Sequence, residues 1–260
     1  MYRLIAIAGS VLLFATVPPM AAADCPGHPD ALGTSRAIAV DVAHIRRVGT
    51  MQYPDTLPLR DHEIVLTFDD GPRPPNTARI LDALGAECVK ATFFVLGNMA
   101  KAHPALLRRA HADGHTIATH SQQHRVLGQH ASAAEVERDF DSGAEMVAVA
   151  LGDRKAVAPF YRFPGLSRSA ALEQHLASRG VMAWSADFGA DDWSGTADQI
   201  SARVLARIER KGRGILVLHD VQPETVRALP KLLRALHARH FHIVHVVSAS
   251  PAATTGQFKP

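Results

Sequence analysis

Seven short apolar runs, most followed by a segment of helical spacing, constrain the fold of this chain more than any other feature. The runs at 63–68, 91–96, 115–119, 160–163, 181–185, 214–218 and 241–247 are rich in β-branched and aromatic residues and read as buried strands. Between them, 77–84, 104–112, 132–151, 169–179, 196–211 and 223–238 read as helices. Ser132-x-x-Glu135 and Thr196-x-x-Gln199 are capping boxes that open two of these helices, while Gly85 and Gly180 stop two others. Strands alternating with helices predict an α/β fold with a parallel sheet covered by helices. About seven strands over roughly 190 residues suit a (β/α) barrel, whose chemistry sits at the C-terminal strand ends.

Composition sets the outer limits. A chain of 260 residues that is 47% hydrophobic can bury a large core, which excludes wholesale disorder, collagen and a coiled coil. A net charge of +3 is too small to mark a nucleic-acid binder. Residues 1–23 start with Arg3, run apolar to Val17 and end in Ala21-Ala22-Ala23; they read as a cleaved signal peptide. Pro18-Pro19 and the short apolar run argue against a membrane span, so the mature chain is expected to be periplasmic or secreted, with no stable membrane insertion. An exported compartment permits Cys25 and Cys88 to pair, the favoured reading over two free thiols. The expected organisation is signal 1–23, an N-terminal extension 24–61, a catalytic domain 62–247 and a tail 248–260.

Titratable residues gather where the strands end. Asp69 and Asp70 follow the first core strand, His120 and His124 the third, Arg162 ends the fourth, Asp187 follows the fifth, and His219 and Asp220 follow the sixth. His120-x-x-x-His124 has ligand spacing, because residues four apart face the same way on a helical turn. Two imidazoles and one carboxylate make a three-ligand divalent site with open positions for water. Adjacent carboxylates at a strand end point in opposite directions, so one of the aspartate pair can bind metal while the other stays free as a base. The same Asp-Asp-Gly-Pro also suits a plain turn.

Taken together, Thr67-Phe68-Asp69-Asp70-Gly71-Pro72, His120-Ser121-Gln122-Gln123-His124, Arg162-Phe163-Pro164, Asp187 to Asp192-Trp193 and Leu216-Val217-Leu218-His219-Asp220 resemble, in order, the motifs of the polysaccharide deacetylase family. This is carbohydrate esterase family four, with its NodB homology domain, and the resemblance covers about residues 62–247. It implies a distorted (β/α) barrel that removes acetyl groups from N- or O-acetylated glycans. By motif match, Asp70, His120 and His124 would hold one divalent metal; such a set suits zinc, with cobalt or nickel able to substitute. Asp69 would be the general base, His219 the general acid, Asp187 the partner that orients His219, and Arg162 the partner of Asp69. The Gly165 amide would stabilise the oxyanion, and Trp193 and Leu216 would shape the acetyl pocket.

Two departures from the family pattern are visible. Gly165 stands where an aromatic residue is usual, and four residues rather than two separate Asp187 from Asp192. The first leaves open a glycan-binding protein on the same fold with impaired turnover. His237, His240, His242 and His245 straddle a helix end and a strand and are not expected to form a second metal site; His103, His111, His115, His130 and His175 are expected at the surface or in loops. The glycan and the oligomeric state are not legible.

Overall fold

The structure, a computed structural model, describes Cys25, His28, residues 30–127 and residues 131–249. The expected signal segment, His130 and nearly all of the expected tail lie outside the described residues. In chain order the elements begin with β1 (Thr34–Val40), β2 (Arg47–Val48), β3 (Glu63–Asp69), α1 (Asn76–Ala86), β4 (Thr92–Val95), α2 (Gly97–Ala102) and α3 (Pro104–Ala112). They continue with β5 (Thr116–Thr119), α4 (Ala133–Leu151), β6 (Val157–Arg162), α5 (Ala170–Ser178), β7 (Met182–Trp184) and β8 (Phe188–Gly189). The chain closes with α6 (Ala197–Lys211), β9 (Gly214–His219), α7 (Pro223–Ala238) and β10 (His242–Ser248). Every strand pairing is parallel, in the order β1-β10-β3-β4-β5-β6-β7-β2, with β9 joined to β3 and β8. All seven expected strands are present.

Strand alternation sorts the side chains into two cores. Ile64, Leu66 and Phe68 of β3, Phe93 of β4 and Leu216 and Leu218 of β9 face outward and pack under the helices. Val65, Phe94, Phe160, Trp184, Ile215 and Val217 face inward and fill the barrel. Both capping boxes form: Ser132 and Glu135 exchange hydrogen bonds at the start of α4, and Thr196 and Gln199 do so at the start of α6. Among the described residues no helix is long and apolar enough to cross a membrane.

The barrel is distorted at two places, and residues 34–59 supply the repair at both. β10 pairs with β3 only through His242–Glu63 and Ile243–Ile64, then diverges beside β1, and the Thr116 hydroxyl at the start of β5 donates to Val246 O. Val244, Val246, Ile38 and Val40 thus fill the N-terminal end of the barrel. Between β7 and β9, β2 pairs with β7 and the following arm lies across the gap, placing Val48, Leu57 and Leu59 in the inner core. The extension is therefore part of the same sheet. The Cys25–Cys88 disulfide ties its start to the turn after α1, with Cα atoms 5.8 Å apart.

One expectation about helices changes, and two about histidines hold. A short helix of 6 residues, α2, begins at Gly97, where the sequence was expected only to end a strand. His115 lies in a loop as expected, yet it is buried edge-on against Phe93, with rings 5.2 Å apart. His242 faces solvent, as its alternation with Ile243 predicts.

Candidate active site

The turn after β3 is built first. Val65, Thr67 and Asp69 share the inward face, so the Asp69 carboxylate points into the barrel mouth. It accepts a 2.7 Å hydrogen bond from Nη1 of the fully buried Arg162, which lies on the equivalent face of β6. The same guanidinium donates to Thr67 Oγ1 and to Ser185 O, and lies 4.2 Å from the Phe94 ring centroid. Burial pushes the Asp69 carboxyl up from its ordinary range, against the opposing charge of Arg162. The next residue leaves the strand: Asp70 has φ 79, which swings its carboxylate away from that of Asp69. Gly71 follows because nothing larger fits, since a Cβ there would stand 2.1 Å from Asp220 Oδ2. Asp220 is itself buried, accepts from the Thr77 hydroxyl, and is pushed up to about 7 by burial.

The loop after β5 supplies the imidazoles. His120 Nδ1 is 2.8 Å from Arg162 O, and a carbonyl only accepts, so this nitrogen carries the proton and the Nε2 lone pair is free. Burial pushes His120 down to about 3, which keeps it neutral. The Nε2 atoms of His120 and His124 each lie 3.5 Å from Asp70 Oδ1. The three donor atoms are within 4.8 Å of one another, and Asp70 Oδ1 is buried with no hydrogen-bond partner. Two free imidazole nitrogens around an orphaned carboxylate oxygen fit a divalent cation of the nitrogen- and oxygen-ligated class. It is the one such cluster among the described residues, and the C-terminal histidines form none.

This loop is held by backbone. Ser121 O accepts from Gly97 N and Gln122 O from Asn98 N, both at the start of α2. A Cβ on Gly143 of α4 would come 2.5 Å from the Ser121 carbonyl carbon. Burial pushes the Asp139 carboxyl of α4 up, opposed by the nearby Gln122 backbone amide and Ser121 hydroxyl. Ser121 and His124 take φ of 81 and 60 under these restraints.

Across the mouth, His219 ends β9 on the inward face and is the register partner of Asp69. Its Nδ1 is 2.7 Å from Asp192 Oδ1, and its backbone N–H donates to Asp192 Oδ2. Thr225 donates to the same carboxylate. Burial alone would lower His219, but the hydrogen bond and charge of Asp192, with Asp69 and Asp70 nearby, outweigh it and the net shift is upward. Trp193 is 57% exposed, with its ring centroid 3.9 Å from that of His219.

The structure corrects two residue expectations. Asp187 does not reach His219. It precedes β8 and sits level with Ile215, whose N–H donates to it, four residues below His219, about 13 Å along a strand. The other partners of its carboxylate are Thr50 and Thr56. Asp192 reaches His219 because the longer spacer lets the loop fold back to the end of β9; the aspartate immediately before Trp193 was the available signal. Leu216 faces outward in the helix-covered core, whereas Val217, on the same face as His219, lines the mouth. Counting by twos back from His219 would have selected it.

Asp69, His120, His124, Gly165, Trp193 and His219 all line one cavity of about 240 Å³. Gly165 has φ 58, and the space beyond its Cα is bounded by Val126, 3.4 Å from where a Cβ would stand. Met51 of the arm also lines the cavity, which the sequence did not reveal.

Comparison with known proteins agrees with this geometry. The family model described as polysaccharide deacetylase matches residues 57–184. A chitooligosaccharide deacetylase of Rhizobium leguminosarum is 36% identical over 198 residues, covering 70% of this chain and 89% of that protein. A peptidoglycan-N-acetylglucosamine deacetylase of Bacillus cereus is 30% identical over 196 residues, covering 72% of this chain and 70% of that protein. The solved structure of a Bdellovibrio bacteriovorus peptidoglycan deacetylase superposes with a TM-score of 0.74 at 31% identity, covering 85% of this chain and 61% of that one.

Proposed function

The chain belongs to the polysaccharide deacetylase family, and on that premise we propose that it is a metal-dependent hydrolase that removes acetyl groups from N-acetylglucosamine units of a chitooligosaccharide or peptidoglycan-type glycan. The observation that carries this reading is convergence: a buried carboxylate, a histidine with its own aspartate, and a three-donor cluster line one cavity.

Asp70, His120 and His124 would hold the cation, of which zinc fits the donor set best and cobalt or nickel next. A divalent cation bound there is a Lewis acid that lowers the pKa of water and polarises a carbonyl oxygen. Asp69 takes a proton from the attacking water, with its carboxylate fixed by Arg162. The water oxygen bonds to the acetyl carbon, and the oxyanion that forms accepts from the Gly165 amide. His219 Nε2, left facing the cavity because Nδ1 is bound to Asp192, donates a proton to the sugar nitrogen as the carbon–nitrogen bond breaks. Acetate and the free amine leave. Trp193 offers its exposed face to the sugar ring. The Cys25–Cys88 disulfide supports the expected export to an oxidising compartment.

The test is acetate release by zinc-reconstituted protein from acetylated chitooligosaccharides, peptidoglycan and acetylxylan, each with a chelator control. Chelator-sensitive release from one of the first two is expected, falling about 10³-fold in Asp69→Asn with the metal retained. Full activity in Asp69→Asn overturns the mechanism. Glycan binding with no release from any substrate would instead make the chain a binding protein.

A further inference from the structure

Residues 47–56 precede the segment matched by the family model, yet they bring one side chain, Met51, to the active-site cavity. Their position is fixed from two sides. On one side, Asp187 is 4% exposed and accepts four hydrogen bonds: from Thr50 N and Oγ1 to one oxygen, and from Thr56 Oγ1 and Ile215 N to the other. Lys211 Nζ reinforces this latch by donating to Thr50 Oγ1 and to Asp187 O. On the other side, Arg168 donates to Gln52 O and stacks over Tyr53, and Gln52 donates to Leu166 O. Gly49 lets the arm lie this close, because a Cβ there would stand 2.6 Å from the Ser185 carbonyl carbon.

What this latch presents is Met51. Its backbone N–H donates to Ala186 O, and its side chain is 49% exposed at the cavity. Among the described residues the large exposed apolar side chains are Met51, Val126, Val149 and Trp193. Two of these four line this cavity, and Val126 stands at its rim against Gly165. An apolar rim around a polar floor matches a sugar, whose ring faces are apolar and whose reacting group is polar.

We propose that Met51 is a specificity-determining residue that packs on the glycan outside the reacting acetyl group, and that Asp187 is a positioning residue that holds it there. This rests on the deacetylase reading. It gives the carboxylate that failed to meet His219 a role in substrate recognition. The arm, together with Trp193, then sets how strongly a saccharide is preferred over a bare acetyl ester.

The experiment uses the zinc-loaded, disulfide-bonded mature chain. Binding of tri-N-acetylchitotriose is followed by calorimetry, and kcat/KM is measured for that trisaccharide and for 4-nitrophenyl acetate. In Met51→Ala, Kd and KM for the trisaccharide should rise about fivefold, with a smaller change in kcat, because the shorter side chain covers less of the sugar's apolar face. The ratio of the two kcat/KM values should fall by about the same factor. Met51→Leu should restore Kd to within about twofold, and Asp187→Asn should raise KM in the same direction. Unchanged Kd and an unchanged ratio in Met51→Ala overturn the inference while leaving the deacetylase reading intact. If wild type binds the trisaccharide but releases no acetate, the deacetylase reading fails and Kd alone decides the role of Met51. No trisaccharide binding by wild type overturns the proposal.

Discussion

On one side of the cleft, Asp70, His120 and His124 hang from backbone clamped by α2, α4 and Asp220; on the other, His219 receives its carboxylate from the loop between β8 and α6. The first side must place three donor atoms around one point, and it does so with left-handed residues at Asp70, Ser121 and His124, each of which costs roughly 1–3 kcal/mol unless its surroundings hold it. The second side needs only a carboxylate against Nδ1, which several chain positions can deliver. A strict geometric demand writes itself into contiguous motifs; a lenient one leaves the choice of residue to the loop.

The sharpest way to break this contrast is through Arg162, which serves the strict side. Arg162→Ala leaves the Asp69 carboxylate buried without its partner and should lower stability by about 3–5 kcal/mol, read as a drop in the urea midpoint. A decrease under about 1 kcal/mol would mean that water enters and replaces the guanidinium. Next comes His219→Ala, which should reduce kcat by about 10²–10³ on an N-acetyl sugar and much less on an activated acetyl ester, whose leaving group needs no proton. Equal reductions on both substrates would remove His219 from the role of acid.

The smallest effect separates the two aspartates of the lenient side. The carboxylate of Asp192 raises His219 above its ordinary value, so the acid form persists to higher pH. In Asp192→Asn, burial is left with less opposition, the histidine loses its proton earlier, and the alkaline limb of kcat/KM should move to lower pH. Asp187→Asn should leave that limb in place, because Asp187 bonds to Thr50, Thr56 and Ile215. A shift in Asp187→Asn as large as that in Asp192→Asn would return Asp187 to the proton-donor side.

Legibility in the sequence followed the same divide. The seven core strands, both capping boxes and the His120–His124 pair could be read because periodicity and spacing are local, whereas the choice of Asp70 over Asp69 as their companion came from the family motif. The partner of His219 could not, since Asp187 and Asp192 differ only in how a loop folds back. Leu216 was misplaced by reading a motif without its strand period; Val217 shares the face of His219. Met51 was hidden for a different reason. Its role comes from an arm anchored 137 residues away in sequence by Asp187, and no local pattern encodes that pairing.

Arg162 has one more consequence. Its side chain fixes Asp69, and its own carbonyl sets the tautomer of His120. Errors in the two halves of the reaction centre are therefore correlated: a shift of this residue misaims the carboxylate and the imidazole together. Substitutions at 162 paired with substitutions at 69 or 120 should depart from additivity, as members of one network do. For anyone redesigning the pocket, position 162 behaves as a shared origin of coordinates, from which both sets of distances are measured.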